Sequence, residues 1–237
     1  MSLSNLKQII YTAIFWLVAG VASSAEYTPI PIDSVDYEKI QHKKVRRLVR
    51  DQHQLGIHFF NDLHPSCAVI ADSNTYGIHI KSQLIRQDIE KVWNIVSKQS
   101  VKDEFNGRIV SFGFLYARGS NKLSYINDDC KGLEVGQIVF FNLRLLRGFM
   151  NLAVALEVTR VDSGNKTIEY CYLSNGKTEG TQQVSLKPTP EGYTVITQFT
   201  RYKCKSKLRD KRFYAFFHGR IVRELLGNLK RKSEISL

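Results

Sequence analysis

Apolar and polar positions alternate with a period of two through most of the second half of this chain, and the period becomes helical only near its end. Over residues 167–173, Ile168, Tyr170 and Tyr172 share one side of a predicted strand. The Asn175-Gly176 pair that follows predicts a tight type I′ hairpin, because both residues tolerate positive φ. The next strand then returns antiparallel, with Gly180, Gln182, Val184 and Leu186 on its covered face and Glu179, Thr181, Gln183 and Ser185 on its wet face. The Pro-Thr-Pro-Glu-Gly run at 188–192 turns the chain again, and a strand over 193–202 follows. Finally Tyr214, Phe217, Ile221, Leu225 and Leu229 recur at helical spacing, predicting one long amphipathic helix. A single apolar stripe of that length needs a sheet to lie on.

Upstream, Tyr76, Ile78, Ile80 and Leu84 alternate with His79, Lys81 and Gln83, and Asp88 is placed to cap a helix bearing Ile89, Val92, Trp93 and Val96. Val110, Phe112, Phe114 and Tyr116 predict an alternating strand, turned at 119–122 into a partner over 123–126. Residues 132–146 and 154–161 supply further strands. One strand, a helical connection, several antiparallel strands and a terminal helix make an α+β domain over 76–237. Residues 26–75 form an N-terminal extension, with a Pro29-Ile30-Pro31 linker, a basic helix over about 37–52 and an irregular stretch holding His58, His64 and Cys67.

The first 25 residues follow another rule. Lys7 precedes an apolar run over 9–19, and Ser23-Ser24-Ala25 puts small residues where signal peptidase cuts, predicting a mature chain that starts at Glu26 and is secreted or periplasmic. The competing reading is an uncleaved anchor, since the apolar run falls only slightly short of the ~20 residues that span a bilayer. Export changes the meaning of Cys67, Cys130, Cys171 and Cys204, which fit disulfides in an oxidising compartment or buried free thiols, with the pairing open.

The formal charge is +12, and loss of residues 1–25 removes Lys7 and no acid, leaving 12 − 1 = +11. The excess gathers at 43–50 and at 201–212. An anionic membrane surface is therefore a candidate partner, docked through the second cluster; solvated faces are the plain alternative. Nucleic acid is not expected, because no recognition helix, zinc finger or RNA-binding aromatic pattern accompanies the charge.

Marked catalytic motifs are absent: the sequence contains no nucleophile elbow, zincin helix, phosphate loop or dinucleotide fingerprint. His58, His64 and Cys67 in an irregular stretch do not make a metal site, and neither do Asp128 and Asp129, so no metal or other cofactor is expected. Asn165-Lys166-Thr167 is a glycosylation sequon only in a eukaryotic secretory pathway; the turn at 162–165 explains the Asn without sugar.

Four segments in this order carry a family resemblance: the strand over 77–85 with Asp88-Ile89-Glu90-Lys91-Val92-Trp93, then 132–137, then 191–195, then 229–234. Residues 76 to about 234 resemble the SRPBCC (START-like) superfamily. The resemblance implies a helix-grip fold, a curved antiparallel sheet wrapped around the long C-terminal helix, with an apolar cavity between them. It also implies binding or transfer of a hydrophobic small molecule or lipid. A cyclase- or dehydratase-type enzyme using His218 or Tyr172 is one alternative, and an exported structural or interaction module is another. The candidate lining residues are Phe112, Phe114, Tyr116, Tyr170, Tyr172, Phe213, Phe216, Phe217 and His218, with Gln182 as an orienting polar group. Gly219 and Gly227 lie inside the terminal helix, where each costs about 1 kcal/mol relative to alanine. They predict close approach of that helix to sheet or ligand or a local bend, over a cavity of the usual ~300–1,000 Å³ that Gly219→Leu would fill; relief of crowding against Phe217 and Tyr172 is the plain alternative.

Overall fold

The computed structural model describes residues 28–69, 75–130, 132–207, 210 and 213–235. The signal-peptide reading, and the part of the second basic cluster formed by Arg209, Lys211 and Arg212, lie outside the described residues.

Eight strands form one antiparallel sheet: β1 (Gly77–Ile85), β2 (Val110–Ala117), β3 (Lys122–Tyr125), β4 (Gln137–Leu145), β5 (Met150–Asp162), β6 (Thr167–Tyr172), β7 (Thr178–Pro188) and β8 (Thr194–Cys204). Their spatial order is β1-β8-β7-β6-β5-β4-β2-β3. Between β1 and β2 come the helices α2 (Ile89–Lys98) and α3 (Val101–Glu104); α1 (Lys43–Gln54) precedes the sheet and α4 (Tyr214–Ile235) follows it. Asp88 caps α2 as its sequence predicts, its Oδ1 accepting from the Lys91 N–H at 2.9 Å. Only a single 3₁₀ turn forms at 37–39, because Ile40 then takes extended backbone and is fully buried before α1 begins at Lys43.

The sheet separates two cores. On the concave side, α4, α2 and α3 cover Val139, Phe141, Leu143, Leu156, Val158, Ile168, Tyr170, Tyr172, Val184, Leu186 and Ile196. On the convex side, α1 and the chain around it cover Phe114, Tyr116, Ile138, Phe140 and Ala155 with Ile32, Ile40, Val45, Val49, Phe60 and Leu63. Residues 28–69 therefore pack as an outer layer. Arg118 ties that layer down: its guanidinium donates to both carboxylate oxygens of Glu157, at 3.0 and 3.1 Å, and to the carbonyls of Asn61 and Leu63. A disulfide between Cys67 and Cys171 staples its far end to β6, while Cys130 and Cys204 are buried free thiols.

Two strands depart from their sequence pattern. β2 does not alternate throughout: a bulge between Phe112 and Phe114 leaves Phe112 in the concave core and moves Phe114 and Tyr116 into the convex one. Gly113 permits this, since a Cβ there would lie 2.8 Å from the Phe140 carbonyl oxygen and 3.0 Å from Val45. In β1 the apolar set points outward. Ile78, Ile80 and Leu84 are 59%, 54% and 42% exposed, while His79, Lys81, Gln83 and Ile85 face the concave side. The β6–β7 connection is also longer than a two-residue type I′ turn: Asn175 takes the left-handed conformation, at φ 64°, and Gly176 does not.

Gly180, opposite Tyr202 in the β7–β8 ladder, has φ +127°, and a Cβ there would overlap the carbonyl of Arg201. Gly180→Ala is expected to cost about 3 kcal/mol or more, through backbone strain and lost pairing, measured by denaturant unfolding. A loss below about 0.5 kcal/mol, the range of an ordinary surface substitution, would show that the strand relaxes freely there.

Candidate functional site

α4 runs across the concave face and is fastened along its length. Near its start, the His218 and His79 Nδ1 atoms lie 3.0 Å apart, so one ring donates to the other. In its middle, the Glu224 carboxylate accepts the Ile109 N–H at 2.7 and 3.0 Å and the Val110 N–H at 3.1 Å. Near its end, the Lys230 ammonium donates to the Leu84 carbonyl at 3.0 Å and the Glu234 carboxylate accepts from the Arg86 N–H at 2.9 Å. Gly219 lets the helix lie close to β1, because a Cβ would meet His79 Nε2 at 3.2 Å. Gly219→Leu would thus collide with His79 and Lys81 rather than fill a cavity, and at Gly227 a Cβ would meet only the end of Arg231 at 3.9 Å.

The space enclosed between α4 and the sheet is about 80 Å³. That is well below the ~300–1,000 Å³ of an ordinary ligand cavity. Its apolar walls include Phe105, Phe141, Leu156, Ile196, Ile221 and Leu229. Its polar groups form two sets. In one, the Gln198 amide donates to the Gln182 carbonyl oxygen at 2.6 Å, the Gln182 amide donates to the Tyr172 hydroxyl at 2.7 Å, and that hydroxyl lies 2.6 Å from the Tyr214 hydroxyl. Beside them, burial and the neighbouring His79 hold the His218 imidazole down at about 3, so it is neutral. In the other set, the Tyr170 hydroxyl donates to Glu104 Oε1 at 3.2 Å. Glu104 Oε2 is shut off from water and has no hydrogen-bond partner. Burial pushes the Glu104 carboxyl up to about 7, against the opposing pull of the Tyr170 hydrogen bond and the Lys232 charge.

The larger space is an open groove of about 1,600 Å³ at the mouth of the grip, and it meets the inner cavity at Gln99, Asp103, Asn228 and Lys232, which line both. Eight basic residues line it: Lys98 of α2, Arg108 before β2, Arg144 and Arg147 of the β4–β5 hairpin, and Arg220, Arg223, Arg231 and Lys232 of α4. Against them stand Asp103 and Glu224, and Glu224 is already occupied by backbone N–H groups. Lys98, Arg108, Arg147 and Arg223 form no ion pair among the described residues. The buried Nε of Arg144 has no hydrogen-bond partner among them either. Concentrated in a concavity with low-dielectric walls, these charges focus a positive potential suited to an anion.

Of the residues expected to line a cavity, Tyr170, Tyr172, Gln182 and His218 surround the inner space, and Phe217 lines the groove. Phe112 is in the concave core without reaching either space. Phe114 and Tyr116 are on the opposite side of the sheet because of the β2 bulge. Phe213 and Phe216, 44% and 55% exposed, point to solvent, while Tyr214 between them stacks on Tyr202 of β8. Cys67 is consumed by its disulfide, which removes it from any ligand set with His58 and His64. Sequence reasoning missed Glu104, in a four-residue helix with no apolar period, and the groove arginines, which come from distant points of the chain.

No protein-family model matches this sequence, and no curated protein matches it. Solved structures do resemble it. Norcoclaurine synthase from Thalictrum flavum, in complex with dopamine and hydroxybenzaldehyde, superposes with a TM-score of 0.50 at 12% identity, covering 71% of this chain and 93% of the enzyme. A START superfamily protein from Mycobacterium smegmatis gives 0.48 at 14% identity, over 68% of this chain and 99% of its own. Major latex-like protein 151 from Panax ginseng gives 0.48 at 10%, over 67% and 97%. At such identities the likeness is one of fold. The strand order, the antiparallel curved sheet and the C-terminal helix gripped by it give this chain the helix-grip fold that the sequence resemblance implied, the fold it shares with norcoclaurine synthase.

Proposed function

We propose that this protein is an exported ligand-binding protein whose ligand is an anionic amphiphile, with its anionic group in the basic groove and its apolar part running beneath α4. One observation carries the reading: a groove with eight basic and two acidic residues opens directly onto the apolar interior of the grip. The enclosed 80 Å³ holds only a small part of such a ligand, so binding requires α4 or the β4–β5 hairpin to shift outward. The Cys67–Cys171 disulfide supports export, since such bonds persist in oxidising compartments.

A lipid membrane is the natural source of such a ligand, and the groove is better suited to meet it than the exposed Lys203–Lys207 run. Around the β4–β5 turn Leu146, Phe149 and Met150 are 52%, 92% and 40% exposed beside Arg147, and Phe213 and Phe216 are exposed next to Phe217 on the opposite bank. Exposed apolar side chains flanked by arginine suit the interface of an anionic bilayer.

Titration with dansylated undecanoate, an anionic fluorescent amphiphile, tests the reading. Wild type is expected to bind, and Arg147→Ser with Arg223→Ser to weaken binding roughly tenfold, the equivalent of about 1.4 kcal/mol. The residual binding is also expected to depend less on salt. Equal affinity in both proteins, or no binding by wild type, would overturn it.

A further inference from the structure

Glu104 is an expensive group in its present surroundings. Its residue is half-buried on α3, but its Oε2 is sealed from water without a partner, beside a cavity whose walls are mostly apolar and aromatic. A leucine of similar reach would leave no polar atom unsatisfied there, whereas an orphaned buried oxygen carries a desolvation penalty that nothing in the fold repays. The other polar groups near it behave differently: Gln182, Gln198, Tyr172 and Tyr214 satisfy one another in a closed chain. Tyr170 takes only one side of the carboxyl, leaving Oε2 without a partner in a side chain that lines the cavity.

We infer that Glu104 Oε2 is a recognition site for a hydroxyl group on the ligand, so that the preferred ligand is a hydroxylated anionic amphiphile. The inference rests on the reading of the groove as the site of the anionic group. Asp103, the residue before Glu104, lines the groove as well as the cavity, which puts the carboxyl just inside the mouth, within reach of a hydroxyl on the part of the ligand nearest its anionic end. A hydroxyl matches the site in either protonation state. With Tyr170 donating to Oε1, a protonated Glu104 carries its hydrogen on Oε2 and donates it to the ligand oxygen; an ionised Glu104 accepts the ligand's hydrogen instead. Burial holds this carboxyl near neutrality, so both states are accessible at ordinary pH. The groups facing it are Tyr170 from β6, Lys232 from α4 and its own neighbour Asp103, and none of them offers Oε2 a partner.

The experiment compares myristate with a series of hydroxymyristates whose hydroxyl is moved carbon by carbon from the carboxylate end, by calorimetric titration of wild type, Glu104→Gln, Glu104→Leu and Arg223→Ser. In wild type, at least one isomer is expected to bind roughly tenfold more tightly than myristate, the yield of one hydrogen bond to a buried carboxyl. In Glu104→Leu that ratio is expected to fall to near one, and in Glu104→Gln to a value between. Arg223→Ser is expected to weaken all of the fatty acids together and leave the ratio as in wild type. Myristate binding with no isomer preferred, or a preference that survives Glu104→Leu, overturns the hydroxyl site while the groove stands. Failure of every fatty acid to bind overturns the groove reading and the hydroxyl site with it.

Discussion

Removing the Cys67–Cys171 bridge, by reduction or by paired Cys→Ala substitution, is expected to lower stability by about 3 to 5 kcal/mol and the melting temperature by roughly 10 °C. The bridge joins residues 104 apart in sequence, so it withholds a long loop from the unfolded ensemble, and the chain-entropy cost of that loop sets the scale. Its position sharpens the effect. Cys171 lies between Tyr170 and Tyr172, which face the inner cavity, while its own sulfur points to the other side of β6 and holds the end of the outer layer. Guanidinium unfolding with and without reductant measures the loss. Loss of the bridge with no change in midpoint would mean that the outer layer holds by packing alone, through Arg118, Phe60 and Val45.

The pH dependence of stability is expected to be nearly flat between about pH 7 and 4.5 and to fall by about 2 kcal/mol between 4.5 and 3, because two buried groups act with opposite sign. The folded pKa of His218, about 3, lies below its ordinary 6.5. The unfolded chain therefore takes up the extra proton as pH drops through that window, and stability is lost by about 4 to 5 kcal/mol over its full width. The folded pKa of Glu104, about 7, lies above its ordinary 4.5. There the native state holds the extra proton, and stability is gained, by about 3 kcal/mol, as pH falls from 7 to 4.5. Below 4.5 Glu104 is protonated in both states, and of the pair only His218 still acts.

Two variants separate these effects. Glu104→Gln is expected to raise stability at pH 8 and then to lose it steadily from 6.5 downward, whereas His218→Asn is expected to gain stability as pH falls to 4.5. Urea unfolding across the pH series reads both. Two profiles parallel to that of wild type would show that neither group titrates as its surroundings dictate.

Local patterns foretold most of the fold. The alternation of β6 and β7, the Asp88 cap and the stripe of α4 each depend on neighbours within a few residues, and each appears where the sequence puts it. What the sequence hid was long-range. Phe114 and Tyr116 look like a continuation of Phe112 until α1 packs on the sheet and Gly113 bulges to admit it. The outward Ile78, Ile80 and Leu84 obey strand periodicity, but periodicity does not say which face meets the core. The groove arginines come from α4, the β4–β5 hairpin and the loop before β2, so no window of sequence contains them together. Glu104 leaves no trace in periodicity at all, since its significance lies in what encloses it.

The bulge at Gly113 also gives the interior a movable back wall. Phe112 and Phe114 are two residues apart on one strand, one bordering the gripped core and the other the layer beneath α1. Densely packed layers transmit strain, and here they share a backbone at the point where Val45 already presses within 3.0 Å of where a Cβ at 113 would stand. Enlarging or trimming a side chain of α1 therefore displaces β2, and with it Phe112, although no residue of α1 borders the inner cavity. The packing of the gripped core is thus open to revision from behind, by mutations in a segment that touches none of its inner walls.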